Sequence, residues 1–225
     1  MGRRRLAAIA VVVVAIALAV AFVTTSVGRG TGEKSIPKAP AFSASQLSAA
    51  AGSDWITNGG SLTNERYSSL DQIKTTNVSK LKLAWQTHLD GSGASKVYSQ
   101  ESTPLVYHGV MYISTGNDDV FALDAATGKH LWTYRSHIPV KQITTVCCGF
   151  SNRGVALGDG KVFIAQIPGQ VVALDQTTGG VLWKRWNTRW QEGGTETMAP
   201  LYYDGKVYVG AVNKSALVKA ADAAK

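Results

Sequence analysis

Cys147 and Cys148 are adjacent and are the only thiols in the 225-residue sequence. Their α-carbons stand about 3.8 Å apart across one trans peptide, below the roughly 4.4–6.8 Å usual for a bridge. The residues alone leave two states open: a pair of free thiols, or a strained eight-membered ring that needs an oxidising compartment. Arg153 follows five residues after Cys148, and its guanidinium suits bidentate recognition of a carboxylate. Glu101, in Gln100-Glu101-Ser102-Thr103-Pro104, is either a solvated acid or an acceptor for a protonated group. None of these side chains does chemistry alone, so the elements that position them matter.

An internal repeat supplies that frame. The string VFALDAATGKHLW at 120–132 recurs as VVALDQTTGGVLW at 171–183, an offset of 51 residues. Upstream, the same offset carries Gly109 and Tyr112 onto Gly160 and Phe163, and a third copy starts at Asp204-Gly205. A degenerate earlier copy ends at Leu83-Ala84-Trp85. Each unit reads as four short strands. In the first full copy these are 103–107, 110–115, 119–123 and 130–134, with polar turns at 116–118 and 124–128. A fourfold strand unit of about fifty residues with a recurring Trp is a propeller-blade pattern. Trp85, Trp132 and Trp183 are therefore read as rings packed between neighbouring blades rather than as binding residues. The expected fold is all-β: a partial β-propeller of about three four-stranded blades over 52–212.

The net charge of +8 is concentrated at the N-terminus. Residues 1–51 hold Arg3, Arg4, Arg5, Arg29, Lys34 and Lys38 against the single acid Glu33. The rest of the chain is nearly balanced and has no basic stretch interleaved with aromatics, which argues against nucleic-acid binding. Arg3–Arg5 precede an uncharged apolar run from Leu6 to Val23. Residues 1–28 therefore read as a signal peptide or an uncleaved signal anchor that sends the rest across a membrane. The Gly-, Ser- and Pro-containing stretch 29–51 reads as a flexible tether.

The pattern Ala-x-Asp-x-x-Thr-Gly-x-x-x-Trp at 122–132 and 173–183 resembles the tryptophan-docking motif of pyrroloquinoline quinone (PQQ) dehydrogenases. The sequence resembles the alcohol and methanol dehydrogenases of that family over roughly 53–211. Cys-Cys-Gly-Phe-Ser-Asn-Arg-Gly at 147–154 carries the closest likeness. The resemblance implies that Cys147 and Cys148 form a vicinal disulfide lying against the quinone. It also implies that Arg153 pairs with a cofactor carboxylate, that Glu101 contacts the quinone, and that Thr197 in Thr197-Met198-Ala199-Pro200 touches the cofactor as well. In the intact family calcium acts as a Lewis acid on the quinone, an aspartate takes the alcohol proton, and hydride passes to PQQ. The implied location is the extracytoplasmic or periplasmic face of the membrane.

The likeness stops after Tyr208-Val209-Gly210. There the family carries a calcium-ligating glutamate, whereas 211–225 is an Ala/Lys-rich tail without one, and its composition favours helix. No counterpart of the family's aspartate base or remaining calcium ligands is expected, and three blades are fewer than a closed ring needs. The expectation is thus an N-terminal fragment of a PQQ- and calcium-dependent alcohol dehydrogenase, inactive alone and open to self-association through its blade edges. The alternative is a non-enzymatic propeller scaffold similar to an outer-membrane assembly lipoprotein, which would need neither the quinone residues nor paired cysteines.

Overall fold

A computed structural model describes residues 35–89, 99–146 and 148–211. The expected membrane-directed helix within 1–28 and the tail at 213–225 lie outside the described residues. Among the described residues, no helix is long and apolar enough to cross a membrane.

In chain order the helices are α1 (Ala44–Ser48) and α2 (Val140–Thr144). The strands are β1 (Ser99–Gln100), β2 (Leu105–Tyr107), β3 (Val110–Ser114), β4 (Val120–Asp124), β5 (His130–Tyr134), β6 (Ser151–Asn152), β7 (Val155–Gly158), β8 (Lys161–Gln166), β9 (Gln170–Asp175), β10 (Val181–Trp186), β11 (Leu201–Tyr203) and β12 (Lys206–Tyr208). Strands β2–β5 make one four-stranded antiparallel sheet in sequential order, and β7–β10 make a second of the same topology. These are the two expected full repeats. The third repeat contributes the β11–β12 hairpin. The degenerate copy ending at Trp85 forms no strand among its described residues.

The sheets stack because their inner strands are apolar on both faces. Successive side chains of a strand point to opposite sides. Leu157, Val162, Ile164, Val172 and Leu174 therefore face one way, joining Leu105, Tyr112, Ala122 and Trp132 of the first sheet in one buried cluster. Ala156, Phe163, Ala165, Val171 and Ala173 face the other way and pack on Tyr202 and Val207 of the hairpin. Phe163 and Tyr202 stack with centroids 4.8 Å apart and rings 12° from parallel.

The recurring turns fold as their residues dictate. Asp124 Oδ1 accepts from the amides of Ala126 and Thr127 (both 2.9 Å), and Asp175 Oδ1 does the same for Thr177 and Thr178 (2.9 and 3.0 Å). Each turn closes on a left-handed glycine, Gly128 at φ 71° and Gly179 at φ 72°. The tryptophan of one repeat lies over the glycine of the next, since a Cβ added at Gly179 would stand 2.6 Å from Trp132 Cε3. Trp85 Nε1 donates to Ala125 O (3.1 Å) and Trp132 Nε1 to Gln176 O (2.9 Å). Trp85 and Trp132 are thus inter-repeat wedges.

One stretch differs from expectation. Residues 35–51, assigned to a flexible tether, pack into the first core. Ala39, Phe42, Leu47 and Ala51 are buried, and the Ala39 amide donates to Gln176 Oε1 (2.7 Å). Helix α1 starts with a capping box, in which Ser43 Oγ accepts from the Gln46 amide and Gln46 Oε1 accepts from the Ser43 amide. The apolar residues here are too sparse to form a visible periodicity, yet each finds a place on the blade.

Candidate functional site

A short parallel pairing builds the site. Strand β1 pairs with β6, Ser99 opposite Ser151 and Gln100 opposite Asn152. Glu101 and Arg153 directly follow the two strands, and they meet with Arg153 Nη2 2.9 Å from Glu101 Oε2. The other end of the guanidinium is held by Thr197, since Nη1 donates to Thr197 Oγ1 at 2.6 Å and to Thr197 O at 3.3 Å. The Arg153 backbone is fixed too. Its amide donates to Thr197 O (3.0 Å), and its carbonyl accepts from the Thr103 amide (3.2 Å) and Asn58 Nδ2 (2.9 Å). The structure therefore brings together three of the five expected site residues, drawn from positions 101, 153 and 197.

Thr197 is buried, whereas the Arg153 and Glu101 side chains remain 49% and 40% exposed. The cluster has a fixed base and an open side. An ion pair exposed to this degree adds little to stability, so its geometry is better understood as a consequence of the surrounding bonds. Cys148 lies in an exposed turn on the approach to β6, with a left-handed backbone at φ 75° followed by Gly149 at φ 59°. Cys147 lies outside the described residues, and the vicinal bridge with it.

Beneath the cluster is a buried polar network that the sequence does not announce. Asn152, fully buried, uses its whole amide: Oδ1 accepts from Ser114 Oγ (2.7 Å) and the Gly154 amide (3.0 Å), while Nδ2 donates to Asp118 Oδ1 (2.7 Å) and Ala165 O (2.9 Å). Asp118 Oδ2 accepts from the Ile167 amide (2.7 Å). Ile167 O in turn accepts from Thr195 Oγ1 (2.7 Å) and the Glu196 amide (3.3 Å). Ser102 Oγ, next to Glu101, accepts from the Ser114 amide at 3.2 Å.

Burial disfavours the charged form of the two acids in this network. Burial pushes the Asp118 carboxyl well above the ordinary range, with Asp119 and Glu196 adding to the rise and the bonds from Ile167 and Asn152 opposing it. Burial also pushes Glu196 up to about 7, partly offset by the bond from Asn187 Nδ2. Glu196 Oε2 has no partner among the described residues. The turn at 116–118 was expected to be an ordinary polar turn. Instead Asn117, Asp118 and Asp119 are all buried: Asp118 is met by Asn152 and by the Ile167 amide of the following repeat, and Asp119 by Arg135 and Ser136 just after β5.

A family model for the β-propeller domain of PQQ glucose, ethanol and alcohol dehydrogenases matches residues 55–182. A second model, for the outer membrane protein assembly factor BamB, matches residues 141–225. The chain is 42% identical over 163 residues to the dehydrogenase subunit of a quinone alcohol dehydrogenase from Gluconobacter oxydans, covering 70% of this chain and 21% of that protein. It is 40% identical over 168 residues to a 1-butanol dehydrogenase (cytochrome c) from Thauera butanivorans, covering 74% and 23%. The solved quinohemoprotein alcohol dehydrogenase ADHIIG of Pseudomonas putida HK5 superposes with a TM-score of 0.66 at 35% identity, over 71% of this chain and 23% of that one. A europium-containing methanol dehydrogenase gives a TM-score of 0.64 at 36% identity, over 71% and 27%. The chain thus spans between a fifth and a third of the length of these relatives.

Proposed function

The chain belongs to the PQQ-dependent alcohol dehydrogenase β-propeller family, and from that premise we propose that it forms one side of a PQQ-binding bed in an exported quinoprotein. The observation that carries this reading is Arg153 locked between Glu101 and Thr197 with its outer side open. PQQ is a planar quinone bearing three carboxylates, and the donor set suits it. Arg153 supplies a fixed cation for one carboxylate. Glu101 accepts from a protonated group of the ring system, and Thr197 Oγ1 supplies a hydroxyl beside the guanidinium. Cys147 and Cys148, bridged as the family resemblance implies, would supply a surface for the quinone ring. In support, no described cysteine is free, and the left-handed turn at Cys148 and Gly149 gives the segment a sharp local bend.

When bound, PQQ supplies the hydride acceptor for alcohol oxidation. The residues named here bind and orient it; none is placed to remove the alcohol proton. The reading therefore assigns this chain cofactor positioning and leaves proton abstraction and calcium ligation to groups the described residues do not supply. On its own the chain does not turn over alcohol.

The test is PQQ binding to the full chain by quenching of tryptophan fluorescence, compared with Arg153→Ala. Saturable binding to the native chain that weakens roughly tenfold or more in the variant supports the reading. Equal affinity of the two proteins, or no binding by the native chain, overturns it. The assembly-factor match over 141–225 favours a second reading, a cofactor-free scaffold, for which Arg153→Ala would have no consequence for any quinone.

A further inference from the structure

The two halves of the Arg153–Thr197 pair come from different stretches of chain, and both trace back to one carboxylate. Asp118 Oδ1 accepts from Asn152 Nδ2, and Asn152 is bonded directly along the chain to Arg153. Asp118 Oδ2 accepts from the Ile167 amide, and the Ile167 carbonyl anchors Thr195 and Glu196, which lead directly into Thr197. Asp118 itself sits in the turn between β3 and β4 with a left-handed backbone at φ 60° and is 0% exposed. A buried acid in that position is costly unless its oxygens are satisfied, and here both oxygens are used, one on each arm.

We propose that Asp118 is a positioning residue that sets the distance between Arg153 and Thr197 by bonding at once to Asn152 and to the Ile167 amide. The proposal rests on the reading of the Glu101–Arg153–Thr197 cluster as a cofactor bed, and it adds a residue that touches no cofactor. Two acceptor oxygens suit this place because both partners are donors, and an amide would turn an N–H toward one of them. Asn152 suits its place because its four hydrogen bonds fix which way its amide points. That orientation aims Nδ2 at Asp118 and leaves Oδ1 for Ser114 and Gly154.

The experiment compares the full chain with Asp118→Asn and with the reciprocal pair Asp118→Asn/Asn152→Asp. Amide hydrogen exchange is measured without cofactor, and PQQ affinity separately. In Asp118→Asn, exchange of the segments 151–154 and 195–198 rises roughly tenfold or more, while the sheet cores at 162–164 and 171–174 keep their protection. PQQ affinity falls by a similar factor. The reciprocal pair restores a donor opposite an acceptor between 118 and 152 but removes the donor to the Ala165 carbonyl, so it recovers part of both losses rather than all. Native-like protection of 151–154 and 195–198 in Asp118→Asn overturns the proposal. So does loss of protection spread evenly over the sheet cores, because that marks a residue needed only for folding. A local exchange effect in a native chain that does not bind PQQ upholds the positioning role and defeats the cofactor reading.

Discussion

Glu196 holds its proton to about pH 7 in the folded chain, against about 4.5 when free, chiefly because it is buried. Between those values the unfolded state binds fewer protons than the folded one, so stability falls as pH rises through the window and levels off above it. Each pH unit between the two values corresponds to about 1.4 kcal/mol, so the effect amounts to a few kcal/mol. Glu196→Gln keeps an acceptor for Asn187 and removes the titration. Its melting temperature is expected to decline less than that of the native chain from pH 4.5 to 7, and identical slopes would refute the assignment. At the cysteines, alkylation of the chain produced in an oxidising compartment, under denaturing, non-reducing conditions, should modify neither cysteine. Two alkylated cysteines would rule out the bridge. Glu101, Arg153 and Thr197 could be singled out in the sequence because each sits in a distinctive local string, and the structure brings the three together. Asn152 and Asp118 were not, since a buried, bonded Asp in a Gly-Asn-Asp turn looks the same in sequence as a solvated one. What distinguishes them is Ile167 from the next repeat, 49 residues away.

The element that repeats is the sheet together with its wedge. The offset of 51 residues locates both four-stranded sheets, and the fourth strand of the first was placed at 130–134, where β5 lies. The first strand starts at Leu105 rather than 103, because Thr103 spends its amide on the Arg153 carbonyl instead of on a sheet partner. The glycine under each tryptophan should be intolerant of a side chain. Gly179→Ala places a methyl 2.6 Å from Trp132 Cε3 at a backbone φ of 72°. Overpacking of this kind costs about 1–3 kcal/mol, and the left-handed backbone adds to it. Urea denaturation should show a lowered midpoint with an unchanged slope, and a native midpoint would show that the ring is free to move aside. The 35–51 stretch was the least legible. Its cover for the core rests on Ala39, Phe42 and Leu47 spaced among polar residues, and only the three-dimensional blade reveals that those three point the same way.

For the molecule as a whole, the chain spans about a fifth to a quarter of its relatives, and under the proposed function the described residues would provide one side of a cofactor bed. Losing a positioned base costs about 10²–10⁴ in rate, and an open bed admits water to the reacting carbonyl and weakens electrostatic stabilisation there. Dye-linked alcohol oxidation by the purified chain with PQQ and calcium should therefore not exceed that of a Glu101→Gln/Arg153→Ala double variant. Turnover well above the variant would mean that several copies assemble a complete site. The proposed cofactor bed requires that Arg153, held by Glu101 and Thr197, receive a PQQ carboxylate. A crystal structure of the full chain grown with PQQ tests it most directly. The expected result is a cofactor carboxylate within hydrogen-bonding distance of the Arg153 guanidinium, with Thr197 Oγ1 alongside. Quinone density bound elsewhere, with the Arg153 cluster facing only solvent, would contradict it.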